Sequence, residues 1–163
     1  MNFNYSKLKK NNSSYLIAEI GVNHGCSIKK AKEMIMQAKK GGADAAKFQT
    51  YKASTLTKIN SKAYWNLSKE RTKSQYQLFS RFDKFNKGEY RILANYCKKI
   101  KIDFLSTPFD LDAVDFLNPM VPLFKISSSD ITNYPLLKKI SKTKKPVLIS
   151  TGASSINEIK NAV

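Results

Sequence analysis

Lys47 and Lys125 are the residues whose setting most demands a chemical reason. Each stands inside a short apolar run, Ala45-Ala46-Lys47-Phe48 and Leu123-Phe124-Lys125-Ile126. Lysine is almost never buried without a partner. Two structural ion pairs would satisfy them, and so would one small anion held between them; the second is the reading preferred here. Glu19 poses the same question within Leu16-Ile17-Ala18-Glu19-Ile20-Gly21-Val22-Asn23-His24-Gly25, because a carboxylate in a strand-like run is costly to bury unless paired or hydrogen-bonded. That stretch also carries Asn23 and His24, the one histidine of the chain. Other apolar runs end in Gln49, in Ser106 and Thr107, in Ser127 and Ser128, and in Ser150 and Thr151. Ammonium groups with neutral hydroxyl and amide donors suit a small anion, and nearby carboxylates suit proton transfer.

These residues need elements that bring them to one place. The first strand is read over Tyr15 to Ala18. A helix capped by Ser27 follows from about Ile28 to Lys40, with Ile28, Ala31, Ile35 and Ala38 on one face and Gly41-Gly42 as the stop. Ala43 to Phe48 forms the second strand. Residues 51–86 are polar and aromatic-studded, with short helices predicted around Lys62–Lys69 and Ser74–Phe82; an insertion this long is more often a functional loop than idle chain. Lys87 to Lys101 is amphipathic, with Tyr90, Leu93, Cys97 and Ile100 at core spacing, so Cys97 reads as a core thiol. Asp103 to Pro108 is the third strand, Leu111 to Leu117 a short helix, and Leu123 to Ser128 the fourth strand. Tyr134 to Lys142 is helical with Pro135 in its first turn, Pro146 to Gly152 is the fifth strand, and Ser155 with Glu158 gives a capping box for a last helix. Five strands alternating with helices imply parallel βαβ units. Their C-terminal ends share one face, which holds the active site in barrels of this kind.

The chain has 163 residues, 42% hydrophobic and 25% charged, enough for one domain with a real core and too apolar for wholesale disorder. No window approaches the roughly 20 apolar residues of a membrane span. Met1 to Ser14 is a polar arm without the apolar segment of a secretory signal. Cys26 and Cys97 lie far apart with no metal-type spacing, so reduced thiols and a cytoplasmic location are expected. The net charge of +17 is nearly all lysine, scattered rather than blocked, with Arg71, Arg81 and Arg91 the only arginines. Phosphate and base readers favour arginine forks. A solvated basic surface is therefore preferred to nucleic-acid binding, and it would favour an anionic substrate.

Ala18-Glu19-Ile20-Gly21-Val22-Asn23-His24, Lys47-Phe48-Gln49-Thr50, Ser106-Thr107-Pro108-Phe109, Lys125-Ile126-Ser127-Ser128 and Ser150-Thr151-Gly152 together resemble the sialic acid synthase family, meaning N-acetylneuraminate synthase and its legionaminate and pseudaminate relatives. The likeness is collinear from Tyr15 to the end. It implies an α/β fold, a TIM-type (β/α)8 barrel of which residues 15–163 supply about the first five βα units, with the rest of the barrel and a C-terminal antifreeze-like domain lacking. It implies condensation of phosphoenolpyruvate with an N-acetylated amino-sugar aldehyde, giving a nine-carbon 2-keto acid and phosphate. By resemblance, Lys47, Lys125, Ser128 and Ser150 would bind phosphoenolpyruvate, and Glu19, Gln49 and Asp130 would face the sugar or the attacking water. Asn23, His24, Ser106 and Thr107 would support them, His24 by fixing the first loop.

The family also implies a divalent metal, Mn2+ or Mg2+, and a homodimer. Its metal ligands resemble a histidine pair on later strands, which this chain does not contain, and His24 alone is no metal site. Members often carry a small residue and Glu where this chain has Ser129-Asp130; Asp is one methylene shorter and would reach the same group through a water. The expectation is thus a fragment bearing part of the phosphoenolpyruvate subsite, with little or no turnover alone. A non-catalytic remnant of the same fold, or a basic nucleic-acid-binding protein, are the alternatives.

Overall fold

Alternating runs of β-branched or small residues and amphipathic helices give an all-parallel arrangement in the computed structural model, which describes Phe3 and residues 14–163. Of the expected polar arm, residues 1–2 and 4–13 lie outside the described residues. The strands are β1 (Ile17–Gly21), β2 (Ala45–Thr50), β3 (Asp103–Pro108), β4 (Phe124–Ile126) and β5 (Val147–Ile149). The helices are α1 (Ile28–Lys40), α2 (Ala53–Leu56), α3 (Gln75–Ser80), α4 (Lys87–Ile100), α5 (Leu111–Leu117), α6 (Tyr134–Ser141) and α7 (Ile156–Ala162), with a 3-10 turn at Ser128–Asp130. The order β1-β2-β3 makes one parallel sheet and β4-β5 a second. β3 packs beside β4, so the five strands follow one another as the first part of a (β/α)8 barrel wall.

Side chains alternate across each strand, and the register fixes which residues share a face. Glu19, Lys47 and Leu105 stand abreast on β1, β2 and β3; Lys125 and Leu148 stand abreast on β4 and β5. The opposite parity carries Phe48 and Phe104, whose rings stack 5.6 Å apart, and Phe124 and Ile126, all buried. These join Ile35 of α1, Leu93 and Cys97 of α4, Leu117 of α5, and Leu136 and Ile140 of α6 in one core. Each such fully buried side chain contributes about 1.5–3 kcal/mol, so the helical layer anchors the strands and frees the other face for polar groups.

The helix starts follow local capping chemistry. Ser27 accepts from the Lys30 N–H at 3.3 Å, Asp110 from Ala113 at 2.7 Å, and Ser155 and Glu158 form the expected capping box at α7. Gly21, at φ +57°, ends β1 and turns the chain toward the loop that carries His24.

The structure corrects several boundaries. β2 is shifted forward to Thr50, and β4 and β5 are shorter than their apolar runs. No helix forms over Lys62–Lys69. There the Asn66 side chain accepts from Ser68 N–H at 2.9 Å and the Trp65 indole donates to the Thr72 carbonyl at 3.0 Å, while Lys62 bridges Ser74 in antiparallel fashion. A local Asn turn competes with helix there and wins.

Candidate active site

Lys47 is held at the centre of β2, only 5% exposed. Its Nζ lies 2.7 Å from Glu19 Oε2 and donates to Thr107 Oγ1 at 3.4 Å. Register explains this trio, because Glu19 is its neighbour on β1 and Thr107 shares its parity two residues along β3. Lys125, half-buried on β4, donates to the Ile126 carbonyl at 3.0 Å. Burial holds the Lys125 ammonium below the ordinary lysine value; the Lys47 charge adds to that lowering, and Glu19 opposes it. Glu19, Lys47 and Lys125 therefore share one electrostatic neighbourhood on the same wall. Two ammonium groups and one carboxylate leave a local excess of positive charge.

Beyond β4, the chain turns through Ser127, Ser128, Ser129 and Asp130. The Ser127 and Ser129 hydroxyls lie 2.9 Å apart. Asp130 receives the Asn133 side-chain amide at 3.4 Å and the Ser129 hydroxyl at 3.5 Å. Burial pushes its carboxyl above the usual carboxylate range, and these two hydrogen bonds pull the other way. An acid displaced toward neutrality suits proton transfer. Asn133 was not among the sequence-predicted residues; it caps α6 through Leu136, and the Asp-x-x-Asn spacing was its only signal. Ser150 follows β5, its N–H bonded to the Ile126 carbonyl at 3.1 Å, which keeps it beside the Lys125 strand. Gln49 lies two residues along β2 on the Lys47 parity, half-buried, and its carbonyl accepts from the Tyr90 hydroxyl at 2.7 Å.

One of the expected supporting residues, Ser106, lies on the other side of the sheet, and His24 sits on the first loop that it was expected to fix. Ser106 has the parity of Phe48 and Phe104 and exchanges a 2.7 Å hydrogen bond with Thr50, so it braces strands on the helical side. His24 is 2% exposed; its ring stacks on Phe85 at 4.5 Å, and its Nδ1 accepts from the Cys26 N–H at 3.1 Å. It holds the first loop against the helical layer, while Asn23 remains exposed on that loop. Among the described residues no three His, Cys, Asp or Glu side chains gather as a metal site would require. The described residues do not offer a donor set that fits a divalent metal.

The described residues contain no helix long and apolar enough to cross a membrane. The profile of the NeuB family matches residues 34–163. The chain is 45% identical over 155 residues to the uncharacterized protein MJ1065 of Methanocaldococcus jannaschii, covering 94% of this chain and 42% of that one. It is 40% identical over 151 residues to N,N'-diacetyllegionaminic acid synthase of Campylobacter jejuni, covering 91% of this chain and 45% of that protein. The crystal structure of N-acetylneuraminic acid (sialic acid) synthetase from Leptospira borgpetersenii, in complex with citrate, superposes with a TM-score of 0.80 at 33% identity, covering 93% of this chain and 49% of that one. The chain thus spans less than half the length of the relatives it matches.

Proposed function

The chain belongs to the NeuB family, and on that premise we propose that it forms the phosphoenolpyruvate-binding part of a sialic-acid-type synthase. The whole enzyme would join phosphoenolpyruvate to an N-acetylated amino-sugar aldehyde. The enol carbon attacks the aldehyde carbon, forming the new C–C bond. Water adds at the carbon that bore the phosphate, and phosphate leaves to give a nine-carbon 2-keto acid.

The observation that carries this reading is the placement of a buried Lys47 and a half-buried Lys125 on one wall, close enough that the Lys47 charge adds to the burial that holds the Lys125 ammonium below its ordinary value. Phosphoenolpyruvate offers a phosphate and a carboxylate to two such cations. Ser128 and Ser150, at the ends of β4 and β5, would add neutral donors, and fixing the anion in this way lowers the entropic cost of reaction. Asp130, with its raised carboxyl pKa, is the group on this chain best suited to pass a proton to or from the attacking water. Gln49, on the Lys47 face, would orient sugar or water. Turnover would require the strands that complete the barrel in the longer relatives, and with them the amino-sugar pocket.

Calorimetric titration with phosphoenolpyruvate tests the assignment. Saturable 1:1 binding, lost in Lys47→Ala and in Lys125→Ala with the fold intact by circular dichroism, is expected. Binding unaffected by either substitution contradicts it. A salt-sensitive complex with arbitrary DNA and none with phosphoenolpyruvate would replace it with the nucleic-acid reading.

A further inference from the structure

We propose that Glu19 is the displaceable counter-ion of the anion subsite, its carboxylate standing on Lys47 until an incoming dianion takes that position. This rests on the reading of Lys47 and Lys125 as an anion-binding pair and adds a role that opposes binding. The geometry behind it is asymmetric. The Lys47 side chain is 6% exposed whereas that of Glu19 is 63% exposed, although their charged atoms are only 2.7 Å apart. The ammonium is fixed within the strand layer, with Thr107 Oγ1 at 3.4 Å; the carboxylate reaches it from the solvent side. A carboxylate that is already mostly hydrated gives up only its contact with Lys47 when it leaves, whereas a buried ammonium must always keep an anionic or hydrogen-bonding partner.

Charge balance points the same way. Lys47 and Lys125 supply two positive charges, and Glu19 cancels one. A phosphate dianion placed beside Glu19 in its present position would meet like-charge repulsion and compete for the same N–H donor. Rotation of Glu19 into solvent removes both conflicts, and Lys47 passes from one anion to another without an unpaired stage. The residue thus keeps a buried cation satisfied before binding and lowers affinity by the strength of the pair it must break.

Glu19→Gln is expected to tighten phosphoenolpyruvate binding by roughly 1.5-fold to fivefold, the range for losing a partly exposed competing ion pair. Damage to the fold does not increase affinity, so the sign is diagnostic; Glu19→Ala serves as a second variant with the same expected direction. In the Glu19→Gln/Lys47→Ala double variant the gain should disappear. Unchanged or weaker binding in both Glu19 variants, with Lys47→Ala still abolishing binding, would overturn the counter-ion role alone. Full binding by Lys47→Ala would overturn the anion-pair reading beneath it.

Discussion

At the scale of single residues, the face and the partners of each buried polar side chain, rather than its burial, separate those that hold structure from those poised for chemistry. His24 belongs to the first group. Burial lowers its pKa below the ordinary 6.5, with the Lys30 charge adding to the effect. The folded state therefore binds fewer protons than the unfolded chain as the medium acidifies, so stability falls as pH drops through about 6.5 and levels off below the folded-state value. In His24→Gln this component should vanish from a series of melting temperatures measured between pH 7.5 and 5; a wild-type Tm flat over that range would contradict it. Lys47 and Lys125 were legible in the sequence because their type conflicts with the runs that hold them. The placement of Ser106 was not, because a one-residue change of parity decides which side of the sheet a side chain faces, and only the pairing of β2 with β3 settles it. Asp130 is singled out only through the family resemblance, and its partner Asn133 not at all, since a helix cap and a carboxylate donor leave the same trace.

At the scale of elements, the long helices were plain from their apolar spacing and caps. α1 and α4 lie within a residue of their expected limits. Ser27→Ala should cost about 1 kcal/mol in urea unfolding, the usual worth of an N-cap hydroxyl, with the slope of the transition unchanged; a loss under about 0.2 kcal/mol would show that the cap does not hold α1. The strands were harder to delimit. An apolar run marks a buried segment, but how many of its residues join a ladder depends on a neighbouring strand. This is why β4 and β5 keep three residues each. In the 51–86 segment the helix expected around Ser74–Phe82 forms as α3 (Gln75–Ser80), but the rest resisted reading for another reason. Its aromatic residues pack locally, as Tyr64 on Trp65 at 5.1 Å and Tyr51 on Phe79 at 5.8 Å, without the periodicity that announces a helix.

At the scale of the whole molecule, the first five βα units build a wall whose outer edges are β1 and β5. β1 pairs with β2 alone and β5 with β4 alone among the described strands. All three residues of β5 are partly exposed despite being apolar, and Leu16 before β1 is 54% exposed. The strand-end residues that carry the proposed chemistry come from four of the five strands, so the site depends on the wall as a unit. The central claim is that Lys47 and Lys125 converge on one small dianion. A crystal structure of this chain soaked with phosphoenolpyruvate tests it most directly: both Nζ atoms should lie within about 3.2 Å of oxygens of the same ligand, with Glu19 turned away from Lys47. A ligand bound by one lysine only, or bound elsewhere while the Glu19–Lys47 pair stays closed, would contradict it.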